Sequence, residues 1–252
     1  MCDISCIEFG EKVFNSEIIK GKKVLEIGAR NVNGSVKETI MRYGPSEYVG
    51  IDIEAGENVD IICGVEDAMT KFGLHSFDIV VCTEVLEHIY NWRIAINNIK
   101  YLCSPGGYIV ITTRSKGFAE HNWPADYWRF EVDDMIHIFS DMTGLLVEAD
   151  PQNPGVFVFA RKPELFTMVN LDGFNLYRVE HDEGIAEDFI EINKGDIVQL
   201  KSGGPKMTVD YVYGEVYRCF WFSNESLCSS DFHRESIIPI KENEHELPPK
   251  AS

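Results

Sequence analysis

Residues 23–36, KVLEIGARNVNGSV, decide how this chain is read. Lys23–Ile27 is a short, nearly continuous apolar run of the kind that forms a strand covered on both faces. Gly28 lets the backbone turn sharply and lie close to a ligand. Gly34 opens a helix that Ser35 can cap, and the N-terminal N–H groups of that helix face the same crevice. A strand, a glycine turn and a helix together make a nucleotide site. The spacing is not GxGxxG, because position 30 is arginine and the interval from Gly28 to Gly34 is one residue too long. That counts against NAD, with its pyrophosphate, and favours a ligand without one.

Outward from this turn, further apolar runs at Tyr48–Ile51, Val59–Ile62, Phe77–Cys82, Tyr108–Thr112, Leu145–Ala149 and Val156–Ala160 read as strands. Between them, Ser35–Tyr43, Trp92–Leu102 and Val132–Met142 read as helices, with Trp92, Ile96, Ile99 and Leu102 at helical spacing. The pattern predicts an α/β fold: a Rossmann-like, doubly wound, seven-stranded sheet. Its last two strands are joined only by DPQNPG (150–155), too short for a crossover, so they pair antiparallel. The second strand ends at Asp52, whose carboxylate can accept hydrogen bonds from both hydroxyls of a ribose. After the third strand, Val65 can pack on a purine and Glu66 can accept from an amino group. The fourth strand delivers Thr83, Glu84, Glu87 and His88, and Pro105-Gly106-Gly107 turns the chain into the fifth.

The composition of the 252 residues is that of a folded chain, and 23 basic against 41 acidic residues, net −18, disfavours phosphate backbones and anionic membrane surfaces. No apolar stretch is long enough for a membrane span and the start lacks the features of a signal peptide, so a cytoplasmic protein is expected. Seven scattered cysteines without a CxxC pair point to neither a disulfide framework nor a zinc site, and no metal is expected; Cys2 and Cys6 are read as plain thiols at a mobile terminus. The texture divides the chain into an α/β domain over 1–163, an acidic connector over 164–188, a small β-barrel of SH3-like size over 189–242 and a disordered tail over 243–252.

VLEIGARNVNG, YVGIDIE, FDIVVCTEVLEH and LCSPGGYIVITT, in this order and spacing, resemble the successive motifs of class I S-adenosylmethionine-dependent methyltransferases of the type 11 group, over about residues 20–162. The resemblance implies S-adenosylmethionine as cofactor, with Glu26 and Gly28 by its methionine end, Asp52 by the ribose, and Val65 and Glu66 by the adenine. The full set of expected cofactor contacts is Glu26, Gly28, Ala29, Gly34, Asp52, Ile53, Val65, Glu66, Thr83 and Glu84. Two departures stand out: Arg30 replaces the usual second loop glycine, and Gly64 replaces an acidic residue often found after the third strand. His121–Phe130 resembles a stretch of type 11 enzymes from polysaccharide biosynthesis, which implies a small-molecule or saccharide-linked acceptor. On the lid this stretch would form, Trp123, Tyr127 and Trp128 can shelter a ring and Arg129 can hold an anionic group. His88 and His121 are the candidate general bases. The KSGGPKMTV and Cys219–Phe222 segments resemble the YodC-like family of small domains; Met207 and Val209 alternate inward, Trp221 plugs the barrel, and Lys201, Lys206 and Tyr211 can form a surface for a protein partner or self-association. A binding-class alternative, a non-catalytic cofactor sensor or scaffold, is kept open by Arg30 and Gly64.

Overall fold

The computed structural model describes residues 3–121, 125–171, 173–179, 192–200, 202–213, 216–223, 226–233 and 236–240. The chain divides into two compact units, Met1–Glu180 and His181–Ser252. Trp123, Lys201, residues 180–188 of the expected connector and the tail over 243–252 lie outside the described residues. No helix among the described residues is long and apolar enough to cross a membrane.

The first unit is built on β1 (Lys23–Ile27), β2 (Glu47–Asp52), β3 (Ile61–Ile62), β4 (Phe77–Thr83) and β5 (Cys103–Arg114), with β6 (Trp128–Arg129) apart, then β7 (Thr143–Ala149) and β8 (Gly155–Arg161). Seven of these form one sheet in the order β3-β2-β1-β4-β5-β8-β7. β1 pairs parallel with β2 and β4, and β4 with β5, while β8 runs antiparallel to both β5 and β7. The seven-stranded, Rossmann-like sheet and its antiparallel end are as the sequence predicts. Asp150 makes the turn before β8, its carboxylate accepting from the N–H groups of Gln152 and Asn153 at 2.9 and 3.3 Å.

Strand alternation sends side chains to two cores. Leu25, Ile27, Val80, Cys82, Ile109 and Ile111 face one, which also buries the apolar stripe of α5 (Trp92–Leu102) and residues of α4 (Val65–Phe72) and α6 (Val132–Ile138). Val24, Ile79, Val81 and Val110 face the other, under α1 (Ile4–Val13), α2 (Ser16–Ile19) and α3 (Lys37–Met41). Helix α1 has no counterpart among the elements expected from the sequence. Asp3 caps it by accepting from Ser5 and Cys6 N–H at 3.1 and 3.2 Å, and Cys6 is buried with its thiol 3.3 Å from the Thr112 hydroxyl, so it is a core residue and not a terminal thiol. Ser35 does not cap α3 as expected: the helix starts at Lys37 with Val36 at its N-cap and no side-chain cap, and the Ser35 hydroxyl accepts from Lys37 N–H at 3.0 Å just outside it.

Two corrections concern the chain beyond β8. Residues 164–179 are not a free connector: Leu171 and Leu176 are buried in the larger core, and β9 (Tyr177–Arg178) pairs antiparallel with β6. The second unit contains β10 (Ile197–Leu200), β11 (Met207–Tyr213), β12 (Val216–Ser223), β13 (Ser226–His233) and β14 (Ile237–Pro239), in the order β13-β12-β11-β10-β14. Among the described residues its outer strands do not pair, so it is an open antiparallel sheet and not a closed barrel. Met207 and Val209 do point inward with Val198, Cys219 and Ile237, and Trp221 packs at the edge of this core against Phe232.

Lys100 and Lys162 are fully buried and occupied by the chain itself. Lys162 Nζ donates to the carbonyls of Lys100 and Cys103 at the end of α5, both at 2.7 Å. Lys100 Nζ donates to Ile138 O at 2.6 Å and to the Asp141 carboxylate, which also accepts from Val169 N–H at 2.9 Å. Lys100→Met strands the buried Asp141 carboxylate and should destabilise the first unit by about 3 kcal/mol. Adding Asp141→Leu should recover part of that loss; urea denaturation of the single and double variants checks both.

Candidate active site

The end of β1 is pinned to the end of β2, with Gly28 and Ala29 N–H both donating to Ile51 O, at 2.9 and 3.0 Å. Gly28 has φ +74°, and a Cβ there would lie 2.1 Å from Cγ2 of Val85, so only glycine fits. Asp52 is oriented by the loop beside it: one carboxylate oxygen accepts from Arg30 N–H at 3.3 Å and the other from Glu54 N–H at 3.0 Å. A carboxylate has further lone pairs, so these bonds aim the group without exhausting it. Arg30, in place of the loop glycine, sends its guanidinium to the Glu54 carboxylate.

After β4 the chain makes a sharp corner. Glu84 takes a left-handed φ of +57°, unusual for a residue with a side chain, and is buried against the Arg114 guanidinium. Arg114 also pairs with Asp3 and Asp150, at 2.9 and 3.3 Å. Burial and the neighbouring Glu87 push the Glu84 carboxyl well above the usual carboxylate range.

The ends of β1, β2, β3 and β4 surround a cavity of about 290 Å³. Of the expected site residues, Gly28, Asp52, Ile53, Val65, Glu66, Glu84, His88 and Tyr127 line it. Val65 and Glu66 do so from the first turn of α4. Arg30, Val85 and Tyr90, not foreseen, line it too. Glu26, Ala29, Gly34, Thr83 and His121 are not among the residues that line it. Trp128 and Arg129 are not among the residues lining this cavity: the half-buried Trp128 indole donates to the carbonyls of Ile89 and Tyr90 at 3.1 and 3.0 Å, and Arg129 is buried in a two-pronged pair with Asp126 at 2.5 and 2.7 Å. The Arg129 guanidinium is thereby committed to the protein.

Beside His88 lies a buried polar cluster. The 3₁₀ turn Leu86–His88 brings Glu87, fully buried, between two imidazoles: its Oε1 is 3.8 Å from His88 Nε2 and 3.7 Å from His121 Nε2. Its Oε2 accepts from the Thr113 hydroxyl at 2.7 Å. His88 Nδ1 lies 2.5 Å from Ala125 O, so Nδ1 carries a proton and donates it to this carbonyl. His121 Nδ1 faces the Asp126 carboxylate at 3.0 Å. Burial alone would lower the His121 pKa, but Asp126 and Glu87 raise it to about 9; burial would raise that of Glu87, but the two histidines hold it at about 2. Of the two expected bases, His88 is the one that lines the cavity. The sequence signal for Asp126 was its three-residue spacing from Arg129, which is legible only once both are known to be buried.

A family described as a methyltransferase domain matches residues 6–148. The chain belongs to this family. S-adenosylmethionine is accordingly its methyl donor, and the residues present fit it: a turn with no room for a Cβ, an oriented carboxylate at the end of β2, and apolar Ile53 and Val65 beside it. Residues 193–237 match a family described as an uncharacterised small protein. The methyltransferase unit is 27% identical over 109 residues to the ubiquinone biosynthesis O-methyltransferase of Vibrio cholerae serotype O1, covering 38% of this chain and 43% of that one. It is 31% identical over 116 residues to the mitochondrial ubiquinone biosynthesis O-methyltransferase of Rattus norvegicus, covering 39% and 32%. The chain thus spans less than half the length of these curated relatives. In fold it is similar to the 1,6-didemethyltoxoflavin-N1-methyltransferase of Burkholderia thailandensis, solved with its substrate and S-adenosylhomocysteine, at a TM-score of 0.50 and 14% identity over 62% of this chain and 78% of that one.

Glu26 supplies a test of the wall behind the cavity. It is buried on the opposite face of β1, accepts from the Tyr48 hydroxyl at 2.5 Å, and burial raises its pKa from 4.5 to about 7. The fold therefore prefers the neutral acid, and the stability linked to it is complete below about pH 4.5 and is lost as pH rises through about 7. Glu26→Gln keeps an acceptor for Tyr48 and removes the titration. Its melting temperature should exceed that of the natural chain at pH 8.5, by no more than about 3 kcal/mol in stability, and the gap should close by pH 5.

Proposed function

We propose that this chain transfers a methyl group from S-adenosylmethionine to a hydroxyl of a small-molecule acceptor. The observation that carries the reading is the meeting, on one cavity, of the Gly28 turn, the oriented Asp52 carboxylate and His88. When bound, the cofactor supplies a methyl on a sulfonium, and the C–S electron pair stays with sulfur as the acceptor oxygen takes the carbon. The protein's share is to align the partners and to let the hydroxyl proton leave. Asp52 holds the ribose side, Val65 and Ile53 offer apolar surface to the base, and the Glu87–His88–His121 cluster stands where the hydroxyl proton departs. Tyr90 and Tyr127, edge to face at 5.4 Å and both on the cavity, favour a flat, ring-bearing acceptor. The names of the curated relatives support oxygen as the methylated atom. A saccharide-linked acceptor fits less well, since Trp128 and Arg129 are already engaged.

The Arg30 replacement does not favour a non-catalytic sensor, because its guanidinium pairs with Glu54 and its N–H helps to aim Asp52. The SH3-like reading of the second unit rests on its size and five-strand order, and a cytoplasmic place for the chain on its acidic balance and scattered cysteines.

Calorimetric titration with S-adenosylhomocysteine tests the cofactor site. Asp52→Ala should weaken binding roughly ten- to a hundredfold. Labelled-methyl transfer to a panel of small phenols and catechols tests the acceptor class, and His88→Ala should abolish turnover while S-adenosylhomocysteine binds as before. Binding indifferent to Asp52→Ala would overturn the reading.

A further inference from the structure

We infer that Glu87, His88 and His121 form a binding site for one divalent first-row transition-metal ion at the edge of the methyl-transfer cavity. One ligand atom from each of these residues lies within 4.8 Å of the other two. With bonds of ~2.0–2.2 Å, two atoms bound to a common ion sit about 3.0–3.5 Å apart, so the 3.7 and 3.8 Å separations around Glu87 Oε1 need close only slightly. Two imidazoles and a carboxylate are the donor set of transition ions; magnesium and calcium prefer all-oxygen sites.

The independent sign is Glu87 Oε1 itself. It is fully buried, faces both Nε2 atoms, and has no hydrogen-bond partner among the described residues. The two imidazoles face this oxygen only across 3.8 and 3.7 Å, and a metal ion between them, displacing the Nε2 proton of His121, would give it a direct bond.

The surroundings match those of a ligand set. A metal-bound histidine ordinarily donates its other ring N–H to a carbonyl or carboxylate, which turns the ligating nitrogen inward. His88 Nδ1 is held in this way, 2.5 Å from Ala125 O; His121 Nδ1 lies 3.0 Å from the Asp126 carboxylate as an ion pair without hydrogen-bond geometry, and both Nε2 atoms face Glu87. Asp126 is fixed in turn by Arg129, and Glu87 by Thr113. This arrangement also gives Asp126 and Arg129 a positioning role, in place of the acceptor contact expected of Arg129. Three protein ligands leave positions open, and His88 borders the cavity, so an acceptor hydroxyl can reach the ion and lose its proton to solvent more readily. That role rests on the proposed methyl transfer; the site does not.

The test is a titration of the chelator-stripped full chain with Co²⁺, followed by visible d–d absorption and by proton NMR. One equivalent should saturate, with two hyperfine-shifted, exchangeable N–H resonances, one from each histidine Nδ1. Glu87→Gln and His121→Asn should each weaken binding at least tenfold, and Asp126→Asn, outside the ligand set, about tenfold. S-adenosylhomocysteine binding by each variant reports that it is folded. A natural chain that takes up no Co²⁺, that shows no shifted histidine N–H signal, or whose folded variants bind Co²⁺ equally well overturns the inference. Co²⁺ bound without S-adenosylhomocysteine leaves the metal site standing and removes the methyl-transfer reading; the reverse result does the opposite.

Discussion

Everything at the mouth of the sheet depends on how closely the turn after β1 approaches the corner after β4. With no side chain, Gly28 brings its backbone against Val85, where a Cβ would sit 2.1 Å from Cγ2. That approach brings the Asp52 side of the cavity and the His88 side within the span of one small ligand. A larger residue would have to push Val85 aside, and with it the 3₁₀ turn that carries Glu87 and His88. It would also have to adopt a φ of +74°, which side chains rarely do.

The corner at Glu84 is held in its left-handed conformation from behind. Arg114, at the end of β5, reaches Glu84, Asp3 at the start of α1, and Asp150 at the turn into β8. Ser5 joins them by donating to Asp150 at 2.9 Å. The charge of the buried Arg114 is shared among these partners, so stripping them away would strand it in the core. Helix α1, remote in sequence from the cavity, is thereby tied to the residue that shapes it, which makes the N-terminal segment part of the site's support.

Much of this was legible in the sequence because it is periodic or local. The β1, β4 and β5 runs, the stripe of α5 and the DPQNPG turn announce themselves through spacing alone, and Asp52 is recognisable from its place at a strand end. The parts that escaped were set by partners far along the chain. Ile4–Val13 is short, and its burial of Phe9 and Cys6 depends on β5 and β8. Residues 164–179 look like a loop because Leu171 and Leu176 lack a helical or alternating period, yet a second layer of packing claims them. Arg129 and Trp128 carry the chemistry of acceptor contacts and are spent instead on Asp126 and on backbone carbonyls. No local pattern separates a side chain that greets a ligand from one that braces a neighbour.

The net charge of −18 acquires a local meaning at the cavity. Asp52 and Glu66 line it, with Glu87 immediately behind His88, so a cationic ligand is favoured there over an anionic one. A sulfonium donor is cationic and the thioether left after transfer is neutral, so the same carboxylates hold the donor more strongly than the spent product. Arg30 fits this account: paired with Glu54, its charge is largely cancelled and does not oppose the donor. The buried cluster beside His88 obeys the same rule as the cavity. Carboxylates and imidazoles placed where little water reaches favour positive charge, whether it arrives on a sulfur, on a histidine or on a metal ion.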